Sequence, residues 1–293
     1  MHIIINRFNC KDGMLYLPSN KLVNEDMKDI SDYLKKNISI NRLYIQNNNI
    51  GLDGIKYLSN IGNLTLLNIS YNNFCNEGIK YLMDFKNLKE LNINHNNIGD
   101  EGMKLISESL TINKNLKILY LSDNIFGNEG LIYLSEALKV NNTLEVLDIS
   151  FNKNIKNIKY FSDVLKNNKT ISELNLCNIN IGDEGIKYLS ETLKVNKSIT
   201  ILKILSIKIS NIGLEYLLEA IKLNKNIVEL YLSEFRLNFD LIMEYIETNR
   251  IYQENRINEN KELLMLPLYL SKSYIFINGY TQDDLNTFLL KIK

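Results

Sequence analysis

The sequence predicts an α/β solenoid, with parallel strands on a concave face and helices on a convex one, from three observations. Pairs of apolar residues two positions apart recur nine times, ending at Leu17, Ile45, Ile69, Ile93, Leu121, Ile149, Leu176, Ile204 and Leu232, in steps of 28, 24, 24, 28, 28, 27, 28 and 28 residues. An asparagine follows three residues later in the first six copies, at Asn20, Asn48, Asn72, Asn96, Asn124 and Asn152. A glycine- and acid-rich segment such as Gly99-Asp100-Glu101-Gly102 then opens a stretch with helical periodicity. A period in this range overrides a domain count based on length, because each unit can bury its apolar face only against its neighbours.

In chain order, residues 1–13 read as an N-terminal strand or hairpin about a Lys11-Asp12-Gly13 turn, covering the first strand of the ribbon. Nine repeats fill residues 14–250. In each, Leu15, Leu43, Leu67, Leu91, Leu119, Leu147, Leu174, Leu202 or Leu230 lies two residues before the alignment position, and this alternation is a short strand with one buried face. The asparagine column is expected to turn inward and hydrogen-bond loop backbone left unpaired by stacking. Leu22, Ile50, Phe74, Ile98 and Phe126 return the chain to the core two residues later.

Ten of the 13 glycines fall in the following loop, where they suit a tight turn and close approach of neighbouring backbones. Asp53, Asn76, Asp100, Asn128 and Asp183 are placed to cap the helix that follows, and Glu77, Glu101, Glu129 and Glu184 favour its positive end. Leu131, Leu134 and Leu138, and likewise Ile186, Leu189 and Leu193, set one apolar stripe per helix. Asn37, Asn113, Asn141, Asn168, Asn196, Asn224 and Asn249 then read as helix ends in the left-handed conformation that Asn tolerates. The two 24-residue units, near Ile40 and Leu64, lack this last column and should carry shorter helices. The pattern weakens late: Ile179, Ile207 and Phe235 replace the first asparagine column, and residues 152–165 lack the glycine pair. Residues 251–293 leave the repeat and read as a C-terminal cap or tail, with Pro267, Asn278-Gly279 and a capping Thr281 as its signals.

These residues resemble the leucine-rich repeat family, in its ribonuclease-inhibitor-like class. The resemblance implies protein binding on the concavity and a non-enzymatic scaffold. The class also includes ribonuclease inhibitors and activators of small GTPases, so modulation of an enzyme is the alternative. An Asn-, Lys- and Ile-rich composition points to an AT-rich genome and to similarity with bacterial leucine-rich repeat effectors delivered into host cytosol by a non-classical secretion system.

Charge narrows the partner. With 34 basic and 34 acidic residues the chain has no net charge, which removes the basic footprint of a general nucleic-acid binder. Three scattered cysteines fit a reducing compartment, residues 1–13 do not read as a secretion leader, and the longest apolar run, Leu263–Leu270, is too short to span a bilayer and contains Pro267. A cytoplasmic protein that engages neither nucleic acid nor membrane is expected. Only His2 and His95 offer imidazole, so no metal, cofactor or catalytic set is expected, and Cys177 reads as an unactivated thiol.

The outward strand residues define the candidate site. Tyr16, Tyr44, Asn68, Asn92, Tyr120, Asp148, Asn175, Lys203 and Tyr231 form its centre, and Arg42, Leu66, Glu90, Ile118, Val146, Glu173, Ile201 and Glu229 one flank. Tyr71, His95, Asp123, Phe151 and Glu234 begin the loop on the other. None of these is needed by the repeat's own packing, and aromatic side chains there are the usual anchors of protein interfaces. Acids outnumber Arg42 and Lys203 on this face, which predicts a protein partner with a basic or mixed patch.

Overall fold

The computed structural model describes residues 9–59, 61–83, 85–232 and 239–261. Expectations for residues 1–8 with His2, for Glu234 and Phe235, and for the signals at Pro267, Asn278-Gly279 and Thr281 lie outside them.

Strands β1 (Asn9–Lys11) and β2 (Met14–Tyr16) pair antiparallel across Asp12 and Gly13, whose φ values of 51° and 73° fit a two-residue turn matched to the twist of a hairpin. From β2 onward the strands are parallel: β3 (Arg42–Tyr44), β4 (Leu66–Asn68), β5 (Glu90–Asn92), β6 (Ile118–Tyr120), β7 (Val146–Asp148), β8 (Glu173–Asn175), β9 (Ile201–Lys203) and β10 (Glu229–Tyr231). Their spatial order is their chain order. Between them run α1 (Asp26–Lys36), α2 (Leu52–Lys56), α3 (Cys75–Leu82), α4 (Asp100–Ile112), α5 (Asn128–Leu138), α6 (Lys159–Leu165), α7 (Gly182–Leu193) and α8 (Asn211–Leu223), and α9 (Phe239–Lys261) follows β10, continuous across residue 250.

The middle leucine of every strand from Leu15 to Leu230 stacks in register on the next and is buried. Each such side chain contributes about 1.5–3 kcal/mol by leaving water, so the ribbon's stability accumulates one repeat at a time. The helices close the other side with the expected stripes, including Leu131, Leu134 and Leu138 and Ile186, Leu189 and Leu193, all buried. The short units have the short helices: α2 has 5 residues and α3 has 8, against 13 in α4.

Buried asparagine amides join neighbouring repeats at each strand's end. Asn124 Nδ2 donates to the carbonyls of Leu121 (3.0 Å) and, one repeat back, Ile93 (3.1 Å), while its Oδ1 accepts from the N–H of Asn96 and Ile98 (3.0 Å each). Asn48, Asn72 and Asn96 make the same kind of bridge. Asn20 does not: it opens the series with no earlier repeat to reach, so it is exposed and its side-chain amide donates to Pro18 O, two residues away. At the other end Asn152 keeps its donor contacts, but its buried Oδ1 has no partner among the described residues, at the loop that lacks the glycine pair.

The helix-end asparagines correct a second expectation. Asn37, Asn113 and Asn224 have φ of −113°, −71° and −81°, none of it left-handed. Their column forms another ladder instead. Asn196 Nδ2 reaches back to Leu165 O and Asn168 O (2.8 and 3.0 Å), and its Oδ1 accepts from the N–H of Ser198 and Ile199 (2.9 Å each). Asn141 and Asn224 repeat the arrangement, and Asn is retained for two-sided hydrogen bonding rather than for backbone freedom.

The helix caps differ as well. Asn76, Asp100, Asn128 and Asp183 do not cap their own helices; each reaches forward to the next repeat's loop. Asp100 Oδ1 accepts from the N–H of Gly127 (2.8 Å) and Gly130 (2.7 Å), the cap and third residue of α5. Asn76 serves Gly99, Asn128 serves Lys156 and Asn157, and Asp183 serves Ser210. Asn24 does this for Gly51 and Gly54, whereas Asp53, one place off that column, pairs with Lys56. The glycine three residues into the loop is thereby explained without a tight turn in four repeats: a Cβ at Gly54, Gly102, Gly130 or Gly213 would lie 2.8, 2.6, 2.7 or 2.5 Å from that forward-reaching oxygen, whereas at Gly185 it would meet the Ile181 side chain. Of the loop glycines only Gly182 has a positive φ.

Candidate functional site: the concave strand face

The central row of the face reads, in register, Tyr16, Tyr44, Asn68, Asn92, Tyr120, Asp148, Asn175, Lys203 and Tyr231. All but the exposed Tyr16 are half-buried between their neighbours. The Tyr16 and Tyr44 rings meet at 5.6 Å between centroids. Four members are not free of the fold, contrary to expectation. Asn68, Asn92, Asp148 and Asn175 each accept from the backbone N–H two residues on, at Ser70, Asn94, Ser150 and Cys177. Side chains of this type hold the backbone in a turn as the strand ends.

That turn leads into a left-handed residue in eight successive repeats: Ser19, Asn47, Tyr71, His95, Asp123, Phe151, Asn178 and Ser206, with φ between 52° and 60°. The corner is held by parallel backbone bonds, among them Tyr71 N–H to Asn94 O (2.9 Å) and Phe151 N–H to Cys177 O (2.8 Å). An L-residue there is disfavoured by roughly 1–2 kcal/mol, least for Asn and Asp. The corners project along the rim of the face. Tyr71 and Phe151 are 51% and 44% exposed, Tyr71 stacks on His95 at 4.6 Å, and His95 Nδ1 lies 2.7 Å from Asp123 Oδ2. The corner members Asn47 and Asn178 left no sequence signal, because the column shares neither residue type nor polarity.

Charge is distributed unevenly along the face. Towards β10, Lys203 Nζ pairs with Glu173 (2.6 Å) and lies over the Tyr231 ring, and Tyr231 Oη donates to Glu229 (3.0 Å). Burial and that carboxylate push the Tyr231 phenol up to about 12. Burial alone lifts the Glu90 carboxyl above its ordinary range. Burial also lifts Asp148, against the opposing Ser150 and Asn175 hydrogen bonds and the Lys203 charge. The Tyr120 phenol is raised by burial first and then by Glu90, Glu173 and Asp148 around it. Arg42 is turned away from these acids, donating to Asp12 O. The face is thus acidic about Tyr120, while Glu173 and Asp123 already have partners.

Cys177 is buried, accepts from Leu205 N–H through Sγ, and has its thiol pushed up to about 11 by burial, so it carries negligible thiolate near neutrality. Among the described residues no group of His, Cys, Asp and Glu could hold a metal ion, and no helix is long and apolar enough to cross a membrane.

The Leucine Rich repeat family model matches at residues 36–59, 63–83, 86–107, 113–135 and 140–157. No curated protein matches the chain. Among solved structures it is similar to leiomodin-1 actin-binding site 2, with 17% identity, 63% of this chain and 95% of that one covered, and a TM-score of 0.42. It is also similar to the tropomodulin C-terminal domain of Caenorhabditis elegans, with 17% identity, 62% and 95% covered, and a TM-score of 0.40. Five tandem copies match the leucine-rich repeat, and nine parallel strands alternate with helices, so this chain has the architecture of a leucine-rich repeat solenoid, whose repeats suggest a protein-interaction scaffold.

Proposed function

We propose that the concave face and its rim bind a protein partner, without catalysis, through Tyr44, Tyr71, His95, Tyr120 and Phe151. The observation that carries this is the pair of large exposed aromatics, Tyr71 and Phe151, at left-handed corners where the other six repeats place Asn, Asp, Ser or His. Bulky residues in that conformation oppose the fold's own preference, and strain of this kind concentrates at functional sites. Glu90 and Asp148 add an acidic centre, which fits a partner with a basic or mixed patch and an association rate that falls with salt.

The test uses the corner itself. A Tyr71→Asn/Phe151→Asn double variant keeps a residue that tolerates the left-handed backbone, so its melting midpoint should be unchanged or higher. In affinity capture from cell lysate it should lose a protein that the wild type retains. Identical captured sets would reject the rim as the contact. Once a partner is in hand, faster GTP hydrolysis in a GTPase panel would mark the enzyme-modulator form of this reading, and stable stoichiometric binding without a rate change the scaffold form. Action in a host cytosol rests on composition alone.

A further inference from the structure

The second asparagine ladder turns its chain neighbours outward. Ile112-Asn113-Lys114, Val195-Asn196-Lys197 and Leu223-Asn224-Lys225 repeat one triplet, an aliphatic residue, a ladder asparagine and a lysine. Val140 and Lys169 supply one half of it in the two intervening repeats. Because the amide faces inward, both flanking side chains face solvent. Ile112, Val140, Val195 and Leu223 are 78, 57, 55 and 65% exposed, although single Ile, Val and Leu residues at helix ends need not be apolar for the fold. All four lie where helices end and strands have yet to begin, so they line one lateral edge of the ribbon, away from the concave face.

Charge on this edge is also left over. The C-cap lysines Lys139, Lys166 and Lys194 are paired with Glu136, Asp163 and Glu191, three residues earlier. The triplet lysines, with Lys169, have no carboxylate at ion-pair distance among the described residues: Lys114 Nζ reaches Thr111 O, and Lys225 lies over the Tyr245 ring. The opposite edge, where the helices start, carries Asp100, Glu101, Asp183 and Glu184. A chain with no net charge therefore has one cationic, aliphatic edge.

We propose that this edge docks on an anionic lipid surface, the aliphatic side chains entering the headgroup boundary and the lysines meeting anionic headgroups. Ammonium groups near such a surface each favour binding, and aliphatic residues beside them add burial without any spanning helix. A protein partner would need a row of hollows at the spacing of the repeats, whereas a fluid interface adapts to projecting chains. Nucleic acid is disfavoured, since the side chains that project furthest from this edge, Ile112, Val140, Val195 and Leu223, are aliphatic and give bases no flat face to stack on.

The experiment is co-sedimentation of the full chain with phosphatidylcholine vesicles, with and without phosphatidylserine. The wild type should pellet only with the anionic vesicles. Two variants, Lys114→Glu/Lys169→Glu/Lys197→Glu/Lys225→Glu and Ile112→Ser/Val140→Ser/Val195→Ser/Leu223→Ser, should each keep their melting midpoint and lose at least about tenfold in partition. The Tyr71→Asn/Phe151→Asn variant should partition as the wild type does, which separates this edge from the concave site. Wild type left in the supernatant would overturn the proposal. So would a serine variant that pellets unchanged, which is contact by charge alone, or soluble polyglutamate binding as tightly as vesicles, which points to an acidic macromolecule.

Discussion

Asn96 and Asn20 occupy the same sequence column, yet their amides meet different surroundings. Asn96 is buried and bridges Ile69 O, Asn94 O and Asn72 N–H, whereas Asn20 is exposed. Asn96→Ala should therefore cost about 1–3 kcal/mol, by stranding buried backbone groups, and Asn20→Ala no more than about 0.5 kcal/mol. Urea unfolding midpoints check the pair; equal shifts would contradict the ladder. Asp148 makes a pH-dependent case. Its carboxyl is raised by burial, so between its unfolded and folded pKa values the native state holds a proton that the unfolded chain has released. Its contribution favours folding in acid and is lost as pH rises through that window. Asp148→Asn can still accept from Ser150 N–H, so it should raise the thermal midpoint at neutral pH and match the wild type in acid. A variant less stable at neutral pH would show that Asn175 and Lys203 outweigh the burial.

At the scale of the element, the loop between strand and helix is built by two repeats at once. Gly130→Ala gains helix propensity of about 1 kcal/mol, but its Cβ would sit 2.7 Å from Asp100 Oδ1 and 3.0 Å from Met103 and Phe126 carbons. Asp100→Ala removes the acceptor of two amides at the start of α5, those of its cap Gly127 and of Gly130, at a cost of about 1–2 kcal/mol. In a double-mutant cycle Gly130→Ala should cost less when Asp100 is already alanine, with a coupling on the order of 1 kcal/mol; additive midpoints would sink the forward cap. This contact also shows where sequence reasoning stops. The strands were legible because burial on one side of a pleat writes a two-residue period into Leu119 and Leu121 directly. The cap was not, because Asp100 next to Glu101 looks like a helix start serving itself, and its true partners are 27 and 30 residues away. The rim was legible in part: Tyr71 and Phe151 were visible as outward aromatics, but their left-handed backbone has no pattern in residue type.

Across the whole molecule, stability should behave as a sum over neighbouring interfaces. Its irregular joint is the repeat of α6, where the helix shortens to 7 residues and Asn152 Oδ1 goes unpartnered among the described residues. Beyond it Ile179 and Ile207 stand buried in place of the asparagines, so the first ladder serves the N-terminal repeats and apolar contact the later ones. The hydrogen bonds between repeats also run in both directions. Asp100 reaches forward to Gly127 and Gly130, while Asn124 reaches back to Asn96 and Ile98. On a ribosome, where the N-terminal part emerges first, a newly exposed unit finds its opening turn already provided by its predecessor. The predecessor's own corner stays incomplete until the newcomer's amide arrives. Wherever translation pauses along this stretch, the nascent end is left with two backbone donors still waiting for an acceptor.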